Sequence, residues 1–428
     1  MLRDRYDNPM TTTSQAARDA YIAGVDAFLA ALLGGEGYFR QAIAADPNFA
    51  LGHIALGRQL QMLGRMPEAA RAASAAKDIA DNAARRLTAR EKAHIGVFTL
   101  LLSGQGAAAL AAIQEHVQSY PRDAMVVQPA IGVFGLIGFS GQPGREAEQL
   151  AFTAMLAPQY GEDWWMLGSH AFSQIEAGQT AKAAASATRS LAIHPRNANA
   201  AHYKAHIHYE AGESKAGAAY LDDWRQDYPK ESLLHCHCSW HVALWALEAG
   251  DTDKMWQVID ADVAPDAAWG PAINVLTDTT AILYRAELAG VRVAASRWQQ
   301  VSDYAQKFFA KPGIAFADVH AALAHGMAGN AAALAGIIRD ATGPAGDLVA
   351  KLGEGFGALA SGQWQAAEAH LTATLSDHAR IGGSRAQRDL IEYALLGALL
   401  KQGKTDTARF MLTSRRPLQV AAQPVAGL

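Results

Sequence analysis

Cysteine is nearly absent: two in 428 residues, Cys236 and Cys238, so no disulfide framework holds this chain together. Residues two apart on a helix point in different directions, so this pair does not bridge to itself either. Basic charge is also short. With 37 Lys and Arg against 41 Asp and Glu, the net charge is −4, which supplies no field for nucleic acid. Long apolar runs are missing, and Ile131 to Phe139, among the longest, is broken by glycine. It falls far short of the roughly 20 residues that cross a bilayer. The first residues, MLRDRYDNPM, carry acidic side chains where a secretory signal needs an apolar core. No GxGxxG, Walker A, GxSxG, CxxC or HExxH pattern occurs. These absences exclude a membrane protein and a nucleic-acid partner, and they place the chain in the cytoplasm.

What is present is alanine, in runs such as AARAASAA and AKAAASA, within a composition that is 50% hydrophobic and 18% charged. Alanine has the best helix propensity and lets helices approach closely. A helix is expected over QAARDAYIAGVDAFLAALLGG, capped by Thr13 or Ser14 and stopped at Gly34-Gly35. From there one pattern recurs: a proline, an amphipathic helix, a glycine and a returning helix. Pro47, Pro121, Pro158, Pro195, Pro229 and Pro265 mark it, with gaps of 37, 37, 34 and 36 residues from Pro121 onward. Glycines at 64, 104, 141, 178, 212 and 250 mark the turns. A period of about 34 residues is that of helix-turn-helix repeats.

The unit beginning at Pro47 resembles the tetratricopeptide repeat. Leu56 and Gly57 stand at its Leu-Gly pair, His53 at its aromatic, Leu60 at its Tyr, Gly64 at its turn and Ala69 at its small crossing residue. Trp164, Leu167 and Gly168 match in the unit from Pro158. The expected fold is therefore all-α: one right-handed, strongly curved α-solenoid over residues 1–428. It comprises an extended lead-in (1–13), regular repeats (14–265), divergent helical repeats (266–416) and a tail (417–428). NPMTTTSQAARDAY, LTAREKAH at Leu87, AHIHYEAG at Ala205, CHCSWHVALW at Cys236 and IGGSRAQRD at Ile381 together resemble the tetratricopeptide-repeat protein 38 family. That resemblance implies a divergent tetratricopeptide array and carries no assured activity. The chain departs from the pattern at Tyr209, which follows His208 in place of an acidic residue.

Six of the fifteen histidines fall between Ala200 and Gly250. His202 with His206, and His237 with His241, are i,i+4 pairs, which stack on one face of a helix. Set on the first helices of consecutive repeats, the two pairs are expected to face the concave groove. Asp278, Asp318 and His320 are the further acid–base candidates, because a histidine base needs a carboxylate to orient it. Arg388, with Arg385 and Gln387 at a helix start, suits an anionic group, although the same residues with Asp389 can instead latch the C-terminal helices onto the array through an Arg–Asp network. His208, Glu210 and Trp165 are expected to line the same groove. Zinc is the weaker alternative and no metal ligand is assigned, since no carboxylate stands at a third-ligand position.

Two functions follow from these residues. One is a pocket that binds a small anionic molecule and catalyses hydrolysis or elimination by His/Asp chemistry. The other is an interaction scaffold holding a peptide or protein partner in the groove. A homodimer is compatible with the apolar C-terminal half.

Overall fold

The computed structural model describes residues 1–82, 84, 86–417 and 425–428; residues 418–424 of the expected tail lie outside the described residues. Nearly all regular structure is helical, in sequential pairs, with many turn glycines in the left-handed region that favours this residue. The six glycines expected at turns have φ between +70° and +77°. No described helix is long and apolar enough to cross a membrane. The chain divides into two compact units.

The first unit comprises Met1–Ile137, Gln149–Ser173 and Ser186–Ala200. Its lead-in is a small antiparallel ladder of β1 (Leu2–Arg3) and β2 (Pro9–Met10), with Leu2 opposite Met10, rather than a simple extended strand. Ser14 caps α1 (Gln15–Leu29) by accepting from the Ala17 N–H. That helix ends earlier than expected, and Gly34 and Gly35 open α2 (Gly35–Ala45) instead of stopping α1. Then come α3 (Ala50–Met62) and α4 (Met66–Asp81), which pair through the crossing expected of the repeat. A Cβ on Gly57 would sit 3.2 Å from the Ala69 carbonyl oxygen, so a larger residue would push this close crossing apart by a few tenths of an ångström. Another pair is α5 (Ala89–Leu102) and α6 (Gly106–Ser119), followed by a short α7 (Ala124–Val127). Here the regular array is interrupted: residues 128–144 form one 3-10 turn and irregular chain.

The LTAREKAH motif explains itself in this unit. Thr88 and Glu91 close a capping box on α5, and Glu91 also accepts from the Thr11 N–H and hydroxyl. Arg90 donates to the Pro9 carbonyl and to Asp123 at 2.8 Å. His94 and His116 bond the same carboxylate at 3.1 Å. Burial alone would raise the Asp123 carboxyl, but His94, Arg90 and His116 outweigh it and hold it well below the usual range. This buried polar knot pins the β-ladder to α5.

The second unit comprises Gly138–Glu148, Gln174–Ala185 and Ala201–Leu428. Across both runs lie α8 (Arg145–Tyr160), α9 (Trp164–Glu176), α10 (Thr180–Ile193) and α11 (Ala198–Glu210). Pro158 falls inside α8, so it does not open a unit as its spacing suggested. Onward the helices are α12 (Ser214–Trp224), α13 (His235–Glu248), α14 (Thr252–Val258), α15 (Ala272–Leu288), α16 (Ala295–Phe308), α17 (Ala315–Met327) and α18 (Ala331–Asp340). The series closes with α19 (Gly346–Ala360), α20 (Trp364–Thr372), α21 (Arg385–Lys401) and α22 (Thr405–Arg415). The alternate helices α13, α15, α17 and α19 pack on one another in sequence, and each packs on its own partner. In addition α21 packs on α15, far away in the chain, which brings the GGSRAQRD segment beside the histidine helices.

Candidate functional site

The histidine pairs sit on α11 and α13. Asn197 accepts from the Ala200 N–H to start α11, and Gly250 in the left-handed region follows the end of α13. In α13, every residue from His235 to Leu247 is buried. A helix buried on all sides has no solvent in which to leave a polar ring, so each imidazole on it must find a partner inside.

The four rings find one another. One ligand nitrogen from each of His202, His206, His237 and His241 lies within 4.8 Å of the others, and all four residues are buried. Ring centroids are 4.5 Å apart for His202–His206, 4.6 Å for His202–His237, 4.7 Å for His206–His241 and 5.0 Å for His237–His241. The longest separation is 6.3 Å, between His206 and His237. Four imidazoles bound tetrahedrally to one ion, each nitrogen at about 2.0–2.1 Å, would place their centroids about 5 Å apart. The Nε2 atoms of His202 and His206 are 2.8 Å apart. Both nitrogens of His241 are buried without a hydrogen-bond partner.

Charge at this cluster is set by dehydration. Burial pushes the His202, His206 and His241 imidazoles well below their ordinary value, and the neighbouring rings push them further. At neutral pH they are uncharged, which is the form that ligates a metal. His237 differs, because its Nδ1 bonds Asp278 Oδ2 at 2.7 Å. The proton on that bond leaves Nε2 with its lone pair. Gln387 Nε2 donates in turn to Asp278 Oδ1 at 3.3 Å. A carboxylate behind a histidine is the usual support of a metal-ligating ring.

Several expected site residues lie elsewhere. Asp318 accepts from the Gly313 N–H at 2.9 Å and ties the start of α17, its carboxyl pushed up to about 6 by burial. His320, near enough to Asp278 to feel its charge, bonds the Phe316 carbonyl through Nδ1 at 2.7 Å instead, and burial takes it down to about 4. Arg388, expected to clamp an anion, is engaged by Glu146 and by the Gly383 carbonyl, with Glu176 at 3.6 Å. Arg385 pairs with Glu210 at 3.2 Å, and Glu210 is shared with Arg416 at 3.4 Å. His208, two residues past His206, points away from the cluster and pairs with Glu213 at 2.8 Å. Trp165 packs in the first unit, its ring edge-on to Tyr160 at 5.7 Å. The expected open pocket therefore reduces to a closed knot of four histidines, Asp278 and Gln387.

Tyr209, Arg285 and Asp389, none of them assigned to the expected pocket, form a second buried network. Tyr209 donates to Asp389 Oδ2 at 2.7 Å, Arg416 pairs with the same carboxylate, and Arg285 lies over the Tyr393 ring at 4.2 Å. The signal was there: Tyr209 and Asp389 belong to the two quoted motifs AHIHYEAG and IGGSRAQRD. Cys236 and Cys238 are buried free thiols, both pushed up by burial, Cys238 to about 12, and neither joins the cluster.

No family model matches the chain. Among solved structures it is similar to the human IFIT1 dimer with PPP-AAAA, at 12% identity over 99% of this chain and 96% of that one, with a TM-score of 0.42. It is also similar to the TPR domain of P58(IPK), at 12% identity over 91% of this chain and 99% of that one, with a TM-score of 0.21. The chain is a TPR-like helical-repeat protein, as its sequential helix pairs establish.

Proposed function

We propose that His202, His206, His237 and His241 hold one divalent transition-metal ion of the zinc class, and that this protein is a metal-braced helical-repeat protein. One observation carries the reading: four imidazoles from two helices converge within 4.8 Å in a buried space. An all-nitrogen set selects zinc, copper, nickel or cobalt over magnesium and calcium, which need oxygen. Four protein ligands complete a tetrahedral shell, as in structural sites, and leave no position for a substrate or an attacking water. The ion then ties α11 to α13, the leading helices of successive pairs.

Hydrolysis or elimination on a small anionic molecule fits this geometry less well. It needs an open position and a free cationic clamp, whereas Arg388 and Arg385 are already paired with Glu146, Glu176 and Glu210. Kinship with the tetratricopeptide-repeat protein 38 family belongs to the same proposal, because the shared motifs supply the cluster and its supports. An interaction scaffold would instead hold a peptide or protein partner in the concave groove, as is usual for helical repeats.

Zinc uptake tests this reading. Protein stripped with chelator and dialysed against dilute Zn²⁺ is expected to retain one ion per chain. His202→Ala and His237→Ala should each reduce affinity by at least about 100-fold, roughly 3 kcal/mol. Retention that survives both substitutions would show that any bound zinc sits elsewhere.

A further inference from the structure

Gln387 has its amide oriented at both ends. Its Oε1 accepts from the Ser384 N–H at 3.1 Å and the Ser384 hydroxyl at 3.2 Å, closing the capping box that starts α21. With the oxygen so engaged, the NH₂ faces Asp278 Oδ1 at 3.3 Å. Asp278 gives its other oxygen to His237 Nδ1 at 2.7 Å, which aims the remaining nitrogen at the other three histidines. The chain of contacts runs from the N-cap of α21, through α15, to α13.

The same helix is clamped to α11 as well. Tyr209, three residues after His206, donates to Asp389 at 2.7 Å, and Glu210 pairs with Arg385 at 3.2 Å. Gly382 and Gly383, at φ of +94° and +76°, let the chain turn directly into this position. Their added Cβ atoms would lie 2.5 Å and 2.2 Å from the Phe139 and Phe316 rings, so the turn is tightly fitted.

We infer that Gln387 is a positioning residue for the histidine site, and that metal loading and docking of the α21 start are coupled through Gln387, Asp278 and His237. The inference rests on the metal reading proposed above. Linkage makes the coupling reciprocal: an ion that favours the docked α21 is bound more tightly because α21 is docked. Supports of this kind change metal affinity by about 10–100-fold when removed.

The test uses full-length protein, wild type and Gln387→Met, which keeps the side chain's length and removes its three side-chain hydrogen bonds, two from Ser384 and one to Asp278. Each is titrated with Co²⁺ followed by Zn²⁺ competition, and hydrogen exchange is followed at residues 385–392 with and without Zn²⁺. The expected result is a 10–100-fold weaker Zn²⁺ affinity and an altered Co²⁺ visible spectrum in the variant. In the wild type, exchange at 385–392 slows on loading. Wild-type protein that binds one Zn²⁺ with no change in exchange there overturns the coupling, even if the variant does not fold. Equal affinity and an unchanged Co²⁺ spectrum in a folded variant overturn it too. Wild-type protein that takes up no Co²⁺ removes the metal reading itself, a separate and recognisable outcome.

Discussion

His241→Phe is expected to stabilise the metal-free protein and abolish its response to zinc. Both nitrogens of His241 are buried without a partner, and an unsatisfied buried polar group costs roughly 1–3 kcal/mol. Phenylalanine fills nearly the same volume with no polar atom, so the apo form should gain about 1–2 kcal/mol in urea unfolding. The loaded form moves in the opposite direction. An ion present at 1,000 times its dissociation constant stabilises the folded state by about 4 kcal/mol, and the variant forfeits that increment. Opposite signs in the two states separate a ligand from a packing residue. A core histidine whose only role is to fill space would give the same sign with and without zinc.

Metal-free protein should also be sharply acid-labile. Burial holds His202, His206 and His241 well below 6.5 and His320 at about 4, whereas each regains its ordinary value on unfolding. Above pH 6.5 both states leave these rings neutral and they contribute nothing to the slope. Below it the unfolded chain binds more protons, so stability falls as pH falls, by about 1.4 kcal/mol per unit for each ring. The four together give about 5 kcal/mol per unit, enough to consume a typical 5–15 kcal/mol within a few units. Glu176 acts the other way. Burial pushes it to about 7, so its folded form keeps a proton that the unfolded chain loses above 4.5, and stability falls as pH rises through that range. Asp318, pushed up to about 6, acts as Glu176 does, but burial also holds His325 and His378 at about 4, so the histidines outweigh the carboxyls and the balance stays acid-sensitive. Urea midpoints measured from pH 7.5 to 5 should drop steeply, and less steeply in His241→Phe. A flat profile would mean that the rings are hydrated or already charged.

The helical pairing was legible because proline, glycine and alanine act locally. The turn glycines fell where their spacing placed them, and Gly57 with Ala69 formed the crossing expected of a tetratricopeptide repeat. Where tertiary packing overrides local rules, the reading slipped. Pro158 is accommodated inside α8, and Gly34-Gly35 starts a helix rather than ending one. In the site, the two i,i+4 histidine pairs and Asp278 were visible from spacing and chemistry. Gln387 was visible as a site candidate, but its pairing with Asp278 was not, because it reaches across 109 residues and only the packing of α21 on α15 joins the two. The engagements of Arg388 and Asp318 could not be read from spacing, because a charged side chain at a helix start looks free until its partner is known, here Glu146 and the Gly313 N–H. The want of a third-ligand carboxylate lowered the metal reading, yet four convergent imidazoles need none, and the carboxylate stands behind His237 instead.

X-ray absorption at the zinc edge of protein loaded with one equivalent tests the central claim most directly. Four nitrogen neighbours at about 2.0–2.1 Å, with the outer-shell scattering of imidazole rings, are expected, falling to three or fewer in His206→Ala. A shell dominated by oxygen, or a spectrum unchanged by that substitution, would contradict the account.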